Sequence, residues 1–272
     1  MTIARVINTA ALLLAAAGSP AQQPAAVSSP ETLAKLQAVV GGAQRTDAER
    51  ARDRYRHPIE TLAFFGIRER MTVVEIYPGG GWYTRILAPF LKDQGTLYLA
   101  ARRPGVAPRG ATDALREELA ARPETFGKPV FTVFEKGEYE IAPAGSADMV
   151  LTFRNVHNWM GDGQAEEVFR AMYRALKPGG VLGVVEHRAN PGAQDPRARS
   201  GYVTEAYVIK LAEDVGFRLA SKSEINANPK DTKDHPRGVW TLPPNYALKD
   251  VDREKYAAIG ESDRMTLRFV KP

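Results

Sequence analysis

Short apolar runs alternate with amphipathic segments along the chain after Gly66. The runs have the length and the β-branched composition of buried strands. Five of them come before residue 190, and they are "MTVVEIY", "GTLYLAA", "PVFTVFE", "ADMVLTF" and "GGVLGVVEH". Segments with helical spacing, such as "ATDALREELAAR" and "GQAEEVFRAMYRAL", lie between most of these runs. This alternation predicts a parallel sheet with helices on both faces.

The end of the chain breaks the alternation. "FRLASKSEINA" and "RMTLRFVK" both have strand patterns, and no helix pattern of comparable strength lies between them. We therefore predict an α/β fold with a doubly wound, mostly parallel sheet of seven strands and an antiparallel last strand. The connection from about Asn228 to Ser262 is long, polar and proline-rich, and long loops in compact domains are often functional.

Helices are also predicted ahead of the sheet. Ser29 is suited to cap a helix that has Pro30 at its first position. Residues 46–65 form a second helical region, which is charged at first and apolar at its end. The predicted organisation is a linker with N-terminal helices over residues 22–65 and an α/β domain over residues 66–272.

The first 21 residues have the layout of a secretory signal. Arg5 precedes an apolar run from Ala10 to Ala17, and Ser19 and Ala21 occupy the small-residue positions of a cleavage site. The run is too short to span a bilayer, so no stable membrane span is expected. We predict a periplasmic or secreted mature protein, and an apolar N-terminal helix is the alternative.

Composition and charge narrow the functional classes. The net charge of the 272-residue chain is +5, and its basic residues form no stripe with interleaved aromatic residues. Nucleic acid binding is therefore not expected. The chain has no cysteine, so an exported fold would be stabilised by its core without disulfides.

The stretch "VVEIYPGGGWYTRIL" predicts a strand, a glycine turn and a helix. Ligands of open parallel sheets bind beyond the carboxyl ends of the strands, which is where this turn belongs. Gly79, Gly80 and Gly81 would let the backbone approach a ligand closely, and the helix would direct free N–H groups towards it. A purely structural turn is the alternative.

The order of these pieces, with "RALKPGGVLGVVEH" further along, resembles the class I S-adenosylmethionine (SAM) methyltransferases. "FRNVHNW" is similar to the corresponding stretch of quinone-ring methyltransferases. "EIYPGGGWYT", "RNVHNWM" and "NPKDTKDHPRGVWTLPP" resemble exported methyltransferase-like proteins. The resemblance extends from about residue 60 to the end of the chain. It implies SAM as the cofactor and a small-molecule substrate.

The resemblance also carries roles over to single residues. The residues that would contact SAM are Glu75, Tyr77, Gly79, Gly80, Gly81 and Glu138. Glu75 would face the amino-acid end of SAM, and Glu138 would accept the adenine amino group. Tyr77 stands where the family has its first glycine.

The end of the second strand departs from the family pattern. The family places an acid there to bind the ribose hydroxyls, whereas this chain has Ala100, Ala101 and Arg102. An arginine cannot accept a hydrogen bond from a hydroxyl. Arg102 or Arg103 would suit a phosphate, as in an NADP pocket, or would simply be surface charges.

The predicted catalytic residues follow the fourth and fifth strands. They are Arg154, Asn155, His157 and His187, and His235 in the long connection can reach the same edge. The histidines would act as a general base or anchor the substrate, and hydrogen-bonded structural histidines are the alternative. No metal site is expected, because no tight ligand spacing is present.

Aromatic residues would form a wall for a flat substrate at this edge, with ordinary packing as the alternative. They are Trp82, Tyr83, Trp159, Tyr202, Tyr207 and Trp240. Arg54, Arg56 and His57 precede the first strand, where helices can cover a cofactor. The function expected from the sequence is methyl transfer from SAM to a small molecule. The alternative is a binding protein, or an enzyme of another class, on the same fold.

Overall fold

The computed structural model describes residues 28–105 and 110–272, so the predicted signal at residues 1–21 lies outside the described residues. The described residues contain eight strands. They are β1 (Thr72–Ile76), β2 (Thr96–Ala101), β3 (Val130–Glu135), β4 (Glu138–Glu140), β5 (Ala147–Phe153), β6 (Leu176–His187), β7 (Arg218–Ser223) and β8 (Arg264–Val270). They form one sheet in the order β4-β3-β2-β1-β5-β6-β8-β7.

Helices connect the strands of this sheet and precede it. The helices before β3 are α1 (Pro30–Val40), α2 (Asp47–Arg50), α3 (Asp53–Arg56), α4 (Pro58–Phe65), α5 (Thr84–Leu91), α6 (Ala111–Ala121) and α7 (Pro123–Phe126). Those after β5 are α8 (Val156–Gly161), α9 (Ala165–Ala175), α10 (Glu205–Val215) and α11 (Arg253–Ile259). None of the helices in the described ranges is both long and apolar enough to cross a membrane.

The predicted doubly wound, mostly parallel sheet is confirmed. β8 is antiparallel and lies between β6 and β7, as expected for the two closing strands. The sheet has one strand more than predicted, because the short β4 pairs antiparallel with β3 at the edge. The connection between β7 and β8 is not a continuous loop, because it contains α11 and a 3₁₀ turn at Gly238–Thr241.

The core lies on both faces of the sheet because successive strand residues point to opposite sides. In β1, Val74 and Ile76 pack with α8, α9 and α10, whereas Val73 packs with α1, α4 and α5. Phe65 of α4 lies directly on the sheet at Gly183, where an added Cβ would come within 2.8 Å of its ring. This burial on two faces identifies the architecture as a three-layer α/β sandwich.

The N-terminal helices belong to one of these layers. Ser29 caps α1 by accepting a hydrogen bond from the Thr32 amide at 3.2 Å, as predicted. The helical region predicted over residues 46–65 consists of three helices, α2, α3 and α4. The helical backbone is interrupted at His57, which has a left-handed φ of 39° and directly precedes Pro58. These breaks place α3 above the carboxyl ends of the strands, where Arg56 contacts residues of the β8 end.

Candidate functional site

The glycine turn contains one glycine that is packed against a side chain and one that borders open space. At Gly81 (φ 82°) an added Cβ would lie 2.4 Å from a methyl group of Leu115 in α6. At Gly79 (φ 56°) an added Cβ would meet no atom within 4 Å. Gly80 lies between them, and its carbonyl accepts a hydrogen bond from Arg85. Packing therefore accounts for Gly81, whereas Gly79 borders free space at the carboxyl end of β1.

Glu75 is a buried carboxyl one residue before the end of β1, with 3% of its surface exposed. It accepts a hydrogen bond of 2.6 Å from the Thr84 hydroxyl at the start of α5. Burial raises the pKa of Glu75 to about 7, against the opposing effects of Thr84 and the Arg154 charge. A cation placed beside Glu75 would favour its ionised form.

A cavity of about 270 Å³ opens at the carboxyl ends of β1, β2, β3 and β5. Its walls are formed by Tyr77, Arg102, Phe134, Glu135, Lys136, Asn155, Asn158, Trp159, Asp162 and Gln164. The ring of Phe134 lies 5.6 Å from that of Tyr77 and 5.8 Å from that of Trp159. The cavity therefore combines an aromatic floor with a polar rim, which suits a flat ring that carries polar groups.

Charged residues beyond β2 and β3 shape the rim of this cavity. Arg102 lies over the Tyr77 ring at 5.6 Å and lines the cavity. Arg103 points to the neighbouring hairpin, where it forms ion pairs with Glu135 and Glu138. Glu135 is the acid of this hairpin that lines the cavity, and sequence analysis did not select it although it ends a predicted strand.

Arg154 and Asn155 follow β5 directly. Arg154 has a left-handed backbone (φ 63°), and its amide donates to the Val185 carbonyl at 2.7 Å. The Asn155 side chain donates to the carbonyl of Ile76 at 3.1 Å and lines the cavity. The bond joins the ends of β1 and β5, between which the order of the strands reverses.

His157 is oriented by Glu186. Its Nδ1 lies 3.0 Å from Glu186 Oε1, and the contact requires a proton on Nδ1 because an ionised carboxylate only accepts. The same carboxylate accepts from the amides of Val156, at 2.6 Å, and His187, at 2.7 Å. In the neutral form of His157 this tautomer leaves Nε2 without a proton, so that Nε2 can accept one from another group.

The other two histidines lie close by. The rings of His157 and His187 are 5.3 Å apart, and His187 Nδ1 lies 2.5 Å from the Ser262 hydroxyl. Burial, followed by the charges of His157 and of nearby arginines, lowers the pKa of His187 well below its usual range. His235 lies in the connection between β7 and β8, where its Nε2 is 2.8 Å from Oδ1 of Asp231.

Asp231 ties the connection between β7 and β8 to the start of β8, because it accepts a hydrogen bond of 2.8 Å from the amide of Asp263. It also accepts a hydrogen bond of 2.9 Å from the hydroxyl of Tyr202, whose ring lies 6.4 Å from that of His187. His235 is therefore linked through Asp231 and Tyr202 to the region of His157 and His187.

One ligand atom from each of His157, Glu186 and His187 lies within 4.8 Å of the others. The electrostatics of this group do not suit a metal cation. Both oxygens of Glu186 already accept hydrogen bonds from backbone amides. The charges of Arg264, Arg154 and Arg56 also act on His187 and would repel a cation. The arrangement is better suited to proton transfer than to metal binding.

The aromatic residues divide between the site and the core. Trp159 lines the cavity, and the ring of Trp240 lies 5.9 Å from His157. Trp82 is buried under α2 and α3, with Arg45 and Arg56 against its ring. Tyr83 stacks on Phe153 at 3.5 Å, and Tyr207 packs against the core. Trp159 and Trp240 are therefore the two that remain available for a flat substrate.

A cluster of arginines was not foreseen as a unit. We call Arg52, Arg56, Arg154 and Arg264 the arginine cluster, and Glu261 lies at its centre. Sequence spacing gives no signal for it, because its members come from the start and end of α3, the end of β5 and the start of β8. Sequence analysis selected Arg154 after the fourth strand and Arg56 ahead of the first strand, but it did not bring the two together.

Comparisons with known proteins identify the fold. Neither a protein-family model nor a curated protein matches the sequence. A SAM-dependent methyltransferase from Aquifex aeolicus superposes with a TM-score of 0.57 at 15% identity, covering 90% of this chain and 99% of that chain. The [4+2]-cyclase SpnF superposes with a TM-score of 0.58 at 16% identity, covering 85% of this chain and 86% of that chain.

A third structure contains the cofactor. Phosphoethanolamine N-methyltransferase 2 from Haemonchus contortus, in complex with SAM, gives a TM-score of 0.52 at 16% identity over 80% of this chain and 53% of that chain. The chain therefore has the fold of SAM-dependent methyltransferases. The cyclase shows that the same fold also serves other reactions.

Proposed function

We propose that the protein is an exported SAM-dependent methyltransferase that acts on a small molecule, and the cavity beside the glycine turn carries this proposal. The cavity lies where the order of the strands reverses, between β1 with β2 on one side and β5 with β6 on the other. Ligands of open α/β sheets bind at this reversal. The expected ligand has a flat nucleobase, a cationic sulfonium and an amino-acid end that carries both an ammonium and a carboxylate group.

The residues around the cavity fit most of that ligand. The aromatic rings of Tyr77, Phe134 and Trp159 suit the adenine, and Glu135 lines the cavity whereas Glu138 does not. Gly79 and Glu75 lie outside the lining of the cavity. The open space beside Gly79 suits a close approach of the backbone, and the buried carboxyl of Glu75 suits the ammonium group. The end of β2 differs, because Arg102 offers no acceptor for the ribose hydroxyls.

SAM supplies an electrophilic methyl group when bound. The residues of this chain would align the acceptor and exclude water from it. Nε2 of His157 would take the proton of a hydroxyl or amine acceptor, since Glu186 holds the proton on Nδ1. His187 stays neutral beside it because burial and neighbouring charges lower its pKa. Asn155 would fix the relative position of cavity and base.

Export is part of the proposal because residues 1–21 have the layout of a cleaved signal. SAM would then have to be supplied outside the cytoplasm. This requirement and Arg102 favour the second candidate, a protein with the methyltransferase fold that does not transfer methyl groups from SAM. The similarity of fold to a cyclase supports that alternative.

The test is a thermal shift of the mature protein, residues 22–272, in millimolar SAM. A SAM concentration one hundred times the dissociation constant is expected to raise the melting midpoint by roughly 5–10 °C. Gly79→Val should abolish the shift, because its side chain would occupy the space beside the turn.

Gly145→Val is the matched control. Gly145 has a similar left-handed backbone (φ 64°) and also no atom within 4 Å of an added Cβ, but it lies before β5 at the opposite edge of the sheet. Both variants carry the same backbone strain, so only Gly79→Val should lose the shift. A folded wild-type protein with no shift would instead support the second candidate.

A further inference from the structure

The arginine cluster concentrates positive charge around a single carboxylate. Glu261 is bound by the Nε atom of Arg52, by Nε of Arg56 at 3.1 Å and by Nη2 of Arg264. Burial alone would raise the pKa of Glu261, but the charges of Arg264, Arg56 and Arg52 hold it well below its usual range. One ionised carboxylate thus forms ion pairs with three guanidinium groups.

The fourth member of the cluster has no such partner. Among the described residues, no hydrogen bond or ion pair involves the guanidinium of Arg154, a half-buried residue. Nε of the buried Arg264 lacks an acceptor. Burial, followed by the charge of Arg264, lowers the pKa of Arg154 to about 10. Glu75, the next carboxyl that acts on Arg154, is only partly ionised at neutral pH. The cluster therefore has an excess of about three positive charges.

Buried like charges destabilise a fold unless an opposite charge compensates them. An oxyanion would compensate this cluster well, because guanidinium groups bind carboxylates and phosphates through parallel hydrogen bonds. The side chain of Arg52 is 27% exposed, so the cluster reaches solvent on one side. The cluster adjoins His187, which is paired with Arg264 across β6 and β8, and a methyl acceptor that reaches His157 would lie next to it.

We propose that the arginine cluster binds the carboxylate of the methyl acceptor, so that the substrate is a small organic acid. The attribution to the acceptor rests on the proposed function, whereas binding of an anion by the cluster does not. Arg154 provides the free guanidinium, and Arg264 provides the free Nε. The acid is held at the ends of β5 and β8, with its nucleophilic group directed to His157.

The test compares benzoate with benzamide, which has the same ring and no charge. At constant ionic strength and without SAM, benzoate is expected to give a saturable rise in the melting midpoint, and benzamide none. Arg154→Met should abolish the rise. It should also raise the midpoint of the free protein, because it removes an uncompensated charge.

Arg268→Met is the matched control. Arg268 lies on the same strand as Arg264, is partly buried and contacts the Phe65 carbonyl instead of Glu261. The control should keep the benzoate effect. Equal shifts with benzoate and benzamide, or an unchanged shift in Arg154→Met, would overturn the anion site.

The SAM-induced shift distinguishes the two possible sources of the carboxylate. Arg154→Met is expected to keep that shift. If Arg154→Met lost the SAM shift together with the benzoate shift, the cluster would bind the amino-acid end of SAM, and the assignment to the acceptor would be wrong. Absence of a SAM shift in the wild type would count against the proposed function alone.

Discussion

At the scale of single residues, Glu75 opposes folding at neutral pH. Its pKa is raised from 4.5 to about 7 because it is buried, so the folded state binds its proton more tightly than the unfolded state. The free energy of unfolding therefore falls as the pH rises from 4.5 to about 7. Glu75 therefore lowers the stability of the free protein at neutral pH, and a cation bound beside it would offset this loss.

We predict that Glu75→Gln stabilises the protein by on the order of 2–3 kcal/mol at about pH 8 and by little at about pH 4.5. Urea unfolding of both proteins at the two pH values measures this difference. Glu254→Gln, which changes a solvent-exposed carboxyl of α11, should have little effect at either pH. A stabilisation by Glu75→Gln that did not depend on pH would contradict this account. The variant should also lose the SAM-induced shift.

At the scale of elements, Glu186 fastens α8 to the end of β6. Its carboxylate accepts hydrogen bonds from the amides of Val156 and His157 at the start of α8 and from the amide of His187 in β6. Because α8 has only six residues, its position depends on this anchor more than on its own helical hydrogen bonds. The position of the His157 base is therefore set by the junction of two elements.

Glu186→Gln is expected to lower the free energy of unfolding by about 2 kcal/mol, because glutamine keeps one accepting oxygen and its NH2 group cannot accept from the donors that the second oxygen serves. Glu166→Gln changes an exposed carboxyl paired with Arg170 on α9 and should cost less than about 0.5 kcal/mol. Guanidinium unfolding compares the two. Equal losses would show that Glu186 does not anchor α8.

At the scale of the whole molecule, the core by itself holds the fold together. The chain has no cysteine, and apolar clusters cover both faces of the sheet. Such a protein can fold in an oxidising compartment as well as in a reducing one. The fold of an exported protein would therefore need no disulfide. The proposed export itself depends on the N-terminal signal.

For a chain expressed with its own N-terminus in a Gram-negative host, we expect periplasmic protein that begins at Gln22. N-terminal sequencing and the intact mass of the periplasmic fraction measure this start. Ala21→Leu removes the small residue before the cut and should leave uncut precursor. If the unsubstituted chain stayed in the cytoplasm of the host at full length, the proposed export would be wrong.

The sequence by itself determined the architecture and the location of the glycine turn. Alternating apolar runs are local signals, so they identified the strands, their mostly parallel order and the closing pair. β4 was missed because its three residues, Glu138–Glu140, carry no apolar pattern. The break at His57 was missed because a left-handed residue before Pro58 leaves little trace in a helical pattern.

Only the tertiary structure decided which side chains meet. Glu135 and Trp159 came together in one cavity, and Glu186 paired with His157, because parallel strands end at a common edge. The arginine cluster joins residues that are up to 212 positions apart in the chain, from Arg52 to Arg264. Charge balance at such a place depends on distances in space, which no local pattern of hydrophobic and polar residues contains.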